Sequence, residues 1–232
     1  MMRRRLALLC VLALALALAI PGAASAADTS RYSTLGASAF GMVWEDDAEM
    51  PELFVGVFGG TYSSKWHTPG TKPEKGTFQD VSVWVDCPAA EPDGISTSVF
   101  AVISPYDVGV DRKLTDAGVK AVVEGTRTVY YWQPCADEPD CWEQVVLSEE
   151  PVEVEVDMVW TGVGEITKQR FFWKEMTSAY KIMDRTVGRY RAADVVGSIL
   201  VDGVDVTEGI ELYGDLYDSK GGSTVIGEPW YW

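Results

Sequence analysis

Carboxylates are the most abundant reactive groups in this chain, 35 Asp and Glu against 19 Lys and Arg, and they gather in short runs. The runs are Glu45-Asp46-Asp47 with Glu49 and Glu52, Asp137-Glu138 with Asp140, Glu149-Glu150, and Asp202 with Asp205. Calcium takes about six to eight oxygen ligands, so a loop dense in carboxylates could hold it. Glu45, Asp46, Asp47 and Glu49 are the candidate calcium ligands on this ground. The fixed spacing and closing Glu of an EF-hand occur nowhere, and in a chain of net charge −16 such clusters read first as solvated loops. No other cofactor is expected.

Glycoside hydrolysis needs two carboxyl groups about 5 to 10 Å apart, one of raised pKa. Glu153, Glu155 and Asp157 recur at every second position, about 7 Å apart on one face of an extended segment. Lys168 and Arg170 are expected opposite them, which makes them structural charges rather than a catalytic row. A carboxylate beside an arginine also has its pKa lowered, the wrong direction for a general acid. No catalytic pair is assigned, and a secreted hydrolase of glycosidase type is the alternative function. His67 is the single histidine, which removes HExxH chemistry. A G-x-S-x-G elbow is absent, and so are phosphate-cradling glycine loops.

The nine tryptophans and ten tyrosines suggest recognition instead, because exposed flat rings stack on sugar or peptide surfaces. Trp66, Trp142, Trp230 and Trp232 fall outside the strand pattern and are the candidate ligand-binding set. Trp160 and Trp173 fall in phase with aliphatic residues and are expected in the core. Cys135 and Cys141 are expected to form a disulfide around a short acidic loop, with Cys87 left as a buried free thiol. The three cysteines beyond residue 26 and the one histidine, without a close CxxC pair, do not make a zinc site.

Residues 1–26 carry Arg3-Arg4-Arg5, fifteen apolar residues from Leu6 to Ile20, and Ala24-Ser25-Ala26, the layout of a cleaved signal peptide. The apolar run falls short of the roughly 20 residues of a spanning helix. An extracytoplasmic or secreted chain is therefore expected, with no membrane span after processing. The ending Trp230-Tyr231-Trp232 suggests an outer-membrane barrel, but Glu228 and Pro229 interrupt the required alternation. Acidity argues against nucleic acid, which leaves a carbohydrate or protein surface as the partner class.

Beyond residue 35, short β-branched and aromatic runs alternate with Gly, Pro and Asp clusters. The expected fold is all-β, a single antiparallel sandwich or barrel over 36–232 after a disordered stretch at 27–35. The early half, to about Gln133, and the later half could form its two sheets, and a single helical turn is expected near Leu114 to Gly118. Val152, Val154, Val156, Met158 and Trp160 alternate with charged residues, as in a strand with one wet face. A two-residue turn at Gly162-Val163 would set Asp157 opposite Lys168, Glu155 opposite Arg170, and Val154 and Val152 opposite Phe171 and Trp173. A second turn at Asp202-Gly203 would set Ile199 opposite Val206 and Val195 opposite Ile210. A bulge or strand end is expected near Gly197 or Gly209, because Asp194 and Glu211 would otherwise meet.

Val159-Trp160-Thr161-Gly162-Val163-Gly164, followed by Arg189-Tyr190-Arg191-Ala192-Ala193 and Gly197, resembles a pattern in exported bacterial β proteins of no assigned activity. The resemblance spans about forty residues of turn and strand chemistry. It implies β architecture and export, and it carries no catalytic residues across. The expected function is thus a non-catalytic binding or structural module bearing an aromatic surface patch.

Overall fold

A computed structural model describes residues 29–44, 52–67, 71–89, 94–135, 141–176 and 180–227. The fold is all-β and antiparallel, ten strands in one sheet. In chain order they are β1 (Thr29–Val43), β2 (Leu53–His67), β3 (Glu74–Cys87), β4 (Ser96–Ile103), β5 (Asp116–Pro134), β6 (Trp142–Gly162), β7 (Thr167–Met176), β8 (Tyr180–Val201), β9 (Val204–Asp205) and β10 (Tyr213–Gly227). Strands β1 to β6 form a meander, β6 pairs with β8, β8 with β10, and β10 with β1, so the sheet closes into a barrel of eight strands. The halves of the chain therefore do not form two separate sheets. Residues 29–35, expected to be disordered, make up the first half of β1, paired on both sides.

Strand alternation decides what fills the barrel. Val55 and Val57, Val81 and Val83, and Val154, Val156, Met158 and Trp160 all point inward and are buried. From above, the segment between β4 and β5 folds down onto this core, burying Val108, Val110 and Leu114. It is tied to the strands by Tyr106 N–H donating to the Gln79 carbonyl (3.0 Å) and Gly118 N–H donating to the Val108 carbonyl (2.9 Å). Instead of the expected helical turn, Leu114 has φ 56°, and the Asp111 carboxylate accepts N–H bonds from Lys113 and Thr115. Side chains therefore occupy the lumen at this level. Trp160 is 0% exposed, and its indole N–H donates to the Ser38 carbonyl at 2.9 Å.

The turn at Asp202-Gly203 forms as expected, with φ 50° and 79°, and Val206 N–H donates to the Ile199 carbonyl. Pairing stops there, and the chain rejoins β8 with Tyr213 opposite Asp194, so Val195 faces Trp160 and not Ile210. No bulge forms at Gly197: it has φ 147°, but the β6–β8 register passes through it unbroken, and the pairing ends instead because β9 stops at Asp205. The Gly162-Val163 hairpin does not form. Past Gly162 the chain continues in the same direction, with β6 and β7 lying end to end along one edge of β8. Asp157 consequently pairs with Lys120, and Glu155 stands between Val122 and Leu200. Phe171 and Trp173, expected inside, are 52% and 39% exposed.

Candidate functional site

Alternation sends every second residue of the meander outward, and on β1 to β4 and β10 one level of these outward positions is rich in aromatic residues. Tyr213, Phe40, Gly56, Trp84 and Phe100 stand directly opposite one another across five neighbouring strands. Phe40 and Tyr213 lie 6.1 Å apart between ring centroids, and Trp84 and Phe100 meet edge to face at 5.6 Å. Gly56 is the gap in this row. A side chain there would run into Phe54 and Phe58, the next outward residues of β2, whose rings approach to 3.2 and 3.0 Å of where a Cβ would sit. Six aromatic rings thus form one belt on the outside of the barrel, with Phe100 41% and Tyr213 43% exposed.

Carboxylates border the belt. Next to Phe54 on β3 stands Asp86, raised by burial and accepting a hydrogen bond from the Tyr130 hydroxyl at 3.1 Å. Following Tyr213 on the same face of β10 comes Asp215, whose carboxyl burial pushes up to about 6. It sits opposite Ser38 and Ala192.

A shallow depression of about 360 Å³ lies between β5 and β6, lined by Val122, Val123, Glu124, Pro151, Val152 and Glu153. Glu124 and Glu153 face each other directly within it. Both are exposed.

The structure scatters the tryptophans that the sequence singled out. Trp66 is half-buried at one end of β2, opposite Glu74, whereas Trp142 is 50% exposed at the far end of the β5–β6 hairpin, opposite Pro134. These are opposite ends of the barrel. Trp230 and Trp232, and the four acids Glu45, Asp46, Asp47 and Glu49, lie outside the described residues. Among the described residues, no group of three or more His, Cys, Asp or Glu is arranged to hold a metal. Cys135 and Cys141 form a disulfide. Cys87 ends β3 as an exposed residue, not a buried one, because the alternation that buries Val81, Val83 and Val85 does not extend to it. The belt itself was missed, although the pattern Phe54-x-Gly56-x-Phe58, out of phase with Val55 and Val57, is a sequence signal for it.

No protein-family model, curated protein or solved structure matches the chain. Among the described residues no helix is long and apolar enough to cross a membrane.

Proposed function

We propose that this protein is an exported, non-catalytic binding module that holds a carbohydrate or protein surface against the aromatic belt. The observation carrying this reading is the row Tyr213–Phe40–Gly56–Trp84–Phe100, an apolar strip turned outward from a barrel already filled from within. Exposed contiguous apolar surface of this kind marks interaction sites. Export is supported by the leader-like residues 1–26 and by the Cys135–Cys141 disulfide, a bond favoured outside reducing compartments. Neutral sugars suit the belt because ring faces stack on C–H surfaces while Asp86 and Asp215 accept hydroxyl hydrogen bonds at its margin. The test is a glycan and peptide array probed with the purified protein and with Trp84→Ala and Phe100→Ala. Binding lost in both variants supports the belt, and binding that survives both removes it.

A hydrolytic reading would draw on Glu124 and Glu153, the opposed carboxylates of the β5–β6 depression. Directly opposed residues have Cβ atoms about 5 Å apart, close enough for their rotamers to bring two carboxyl groups to the roughly 5 Å of a retaining glycosidase pair. Reducing-sugar release that disappears in Glu153→Gln would establish it, and no release from any polysaccharide tried would dismiss it.

A further inference from the structure

The inward register of the barrel continues above its apolar filling into an open trough of six strands, ordered β7-β8-β10-β1-β2-β3. There β3 has run past its partner β4, which reaches only Val81, and β7 is paired on one side alone. The trough face spans roughly 24 Å, five strand spacings of about 4.8 Å.

Its charge is the reverse of the molecule's. Arg31, Lys65 and Lys75 stand directly opposite one another on β1, β2 and β3, three cations in a row. On the same face, β8 and β10 contribute Arg185 and Lys220, and β7 contributes Lys168, Arg170 and Lys174 at alternate positions. All eight are exposed, and among the described residues none of them forms an ion pair. Two more, Arg189 and Arg191, are committed internally. Arg189 pairs with Asp218 and bonds the Arg112 carbonyl, while Arg191 bonds the carbonyls of Leu114 and Gly164. Ten of the 16 basic residues beyond residue 26 therefore share one face with a single strand-borne acid, in a chain carrying 35. A solvated surface of average composition would be acidic. Like charges directly opposite one another are unfavourable in the unliganded sheet, so a counter-anion completes the arrangement.

Hydroxyls lie among the cations: Ser33, Ser63 and Thr77 form the adjacent row, with the Ser63 and Thr77 oxygens 3.3 Å apart. Phe172 is the one aromatic residue of the described trough strands on this face, so the stacking platform that single-stranded nucleic acid requires is missing. We infer that the trough binds a linear acidic polysaccharide, its anionic groups on the Arg and Lys side chains and its hydroxyls on Ser33, Ser63 and Thr77. This surface is distinct from the aromatic belt, which faces the other way.

The test is retention of the purified protein on immobilised dextran sulfate and polygalacturonate, with neutral dextran and a single-stranded oligonucleotide alongside. With about six ion pairs, each adding a salt exponent of roughly 0.7, raising salt from about 50 to 200 mM should weaken binding roughly 300-fold. The triple variant Arg31→Ala, Lys65→Ala, Lys75→Ala should bind at least about tenfold more weakly, with that salt effect cut to roughly 20-fold. Its melting temperature should not fall, and Trp84→Ala should bind the polysaccharide as the parent does. If the triple variant unfolds, Lys168→Ala, Arg170→Ala, Lys174→Ala on the outlying β7 takes its place. Absence of binding at low salt, tighter binding of the oligonucleotide, or undiminished binding by a folded variant overturns the inference. So does self-association of the protein that the triple variant abolishes while neither acidic polysaccharide binds, since the trough then takes the acidic surface of a second copy.

Discussion

Asp215 tests whether the belt's margin is maintained at a cost in stability. Its carboxyl is half-buried on β10 beside Tyr213, and desolvation alone raises it from 3.8 to about 6. The folded state therefore holds this proton more tightly than the unfolded chain does. Below pH 4 both states are protonated and the group contributes nothing. Between about pH 4 and 6 the unfolded chain loses its proton first, so stability falls as pH rises, and above pH 6 the full penalty stands. Roughly two pKa units correspond to a ceiling of about 3 kcal/mol, which partial solvent screening reduces to about 1–2 kcal/mol. Asp215→Asn removes the charge and keeps the shape. Urea unfolding of parent and variant across pH 4 to 7.5 should show the variant more stable by about 1–2 kcal/mol at the alkaline end, the gap closing near pH 4. Asp80 and Asp86, also raised by burial, affect both proteins alike and cancel in the difference. A gap that is absent at pH 7.5, or that widens on acidification, refutes the reasoning.

Trp160→Phe takes the indole donor from the Ser38 carbonyl and leaves space in the filled lumen, which should cost about 1–3 kcal/mol in chemical denaturation; a change under about 0.5 would show the bond to be dispensable. Gly197→Ala should destabilise by about 2 kcal/mol or more, since its Cβ would fall 2.0 Å from the Asp157 carbonyl oxygen at φ 147°; an unchanged unfolding midpoint would contradict that register. Replacing Cys135 and Cys141 together by Ser should speed amide exchange at the tip of the β5–β6 hairpin and leave the barrel strands unaffected. Thiol labelling of the unfolded, unreduced protein should find Cys87 reactive and the other two protected.

Local patterns were legible in the sequence where the partner lay close by or where one face was dry. The alternation of Val152 to Trp160 identifies inward and outward residues correctly, and Asp202-Gly203 turns where its residue types favour a turn. Pairing partners were less legible. Asp157 found a cation in Lys120, far earlier in the chain, and local complementarity with Lys168 could not reveal that β7 runs on along β8. Strand β10 is poorly legible locally, because Gly214, Gly221 and Gly222 interrupt its strand-forming residues; in the sheet they make room, with the Tyr32 ring lying across Gly221 and the Trp160 indole against Gly214. The belt escaped notice because its rings come from five strands and share a row only once the sheet is assembled. Net charge was the least informative about placement: it averages over a surface on which ten of the 16 basic residues beyond residue 26 share one face.

The seam between β1 and β10 joins residues 29–40 to residues 213–224. Ring closure thus waits for almost the entire polypeptide to be present, and a nascent chain emerging from either a ribosome or a translocation pore has no sealed cylinder until its final stretch arrives. Any product ending before Tyr213 exposes two bare strand margins, on β1 and β8, a ready target for proteases or for sticking to its siblings.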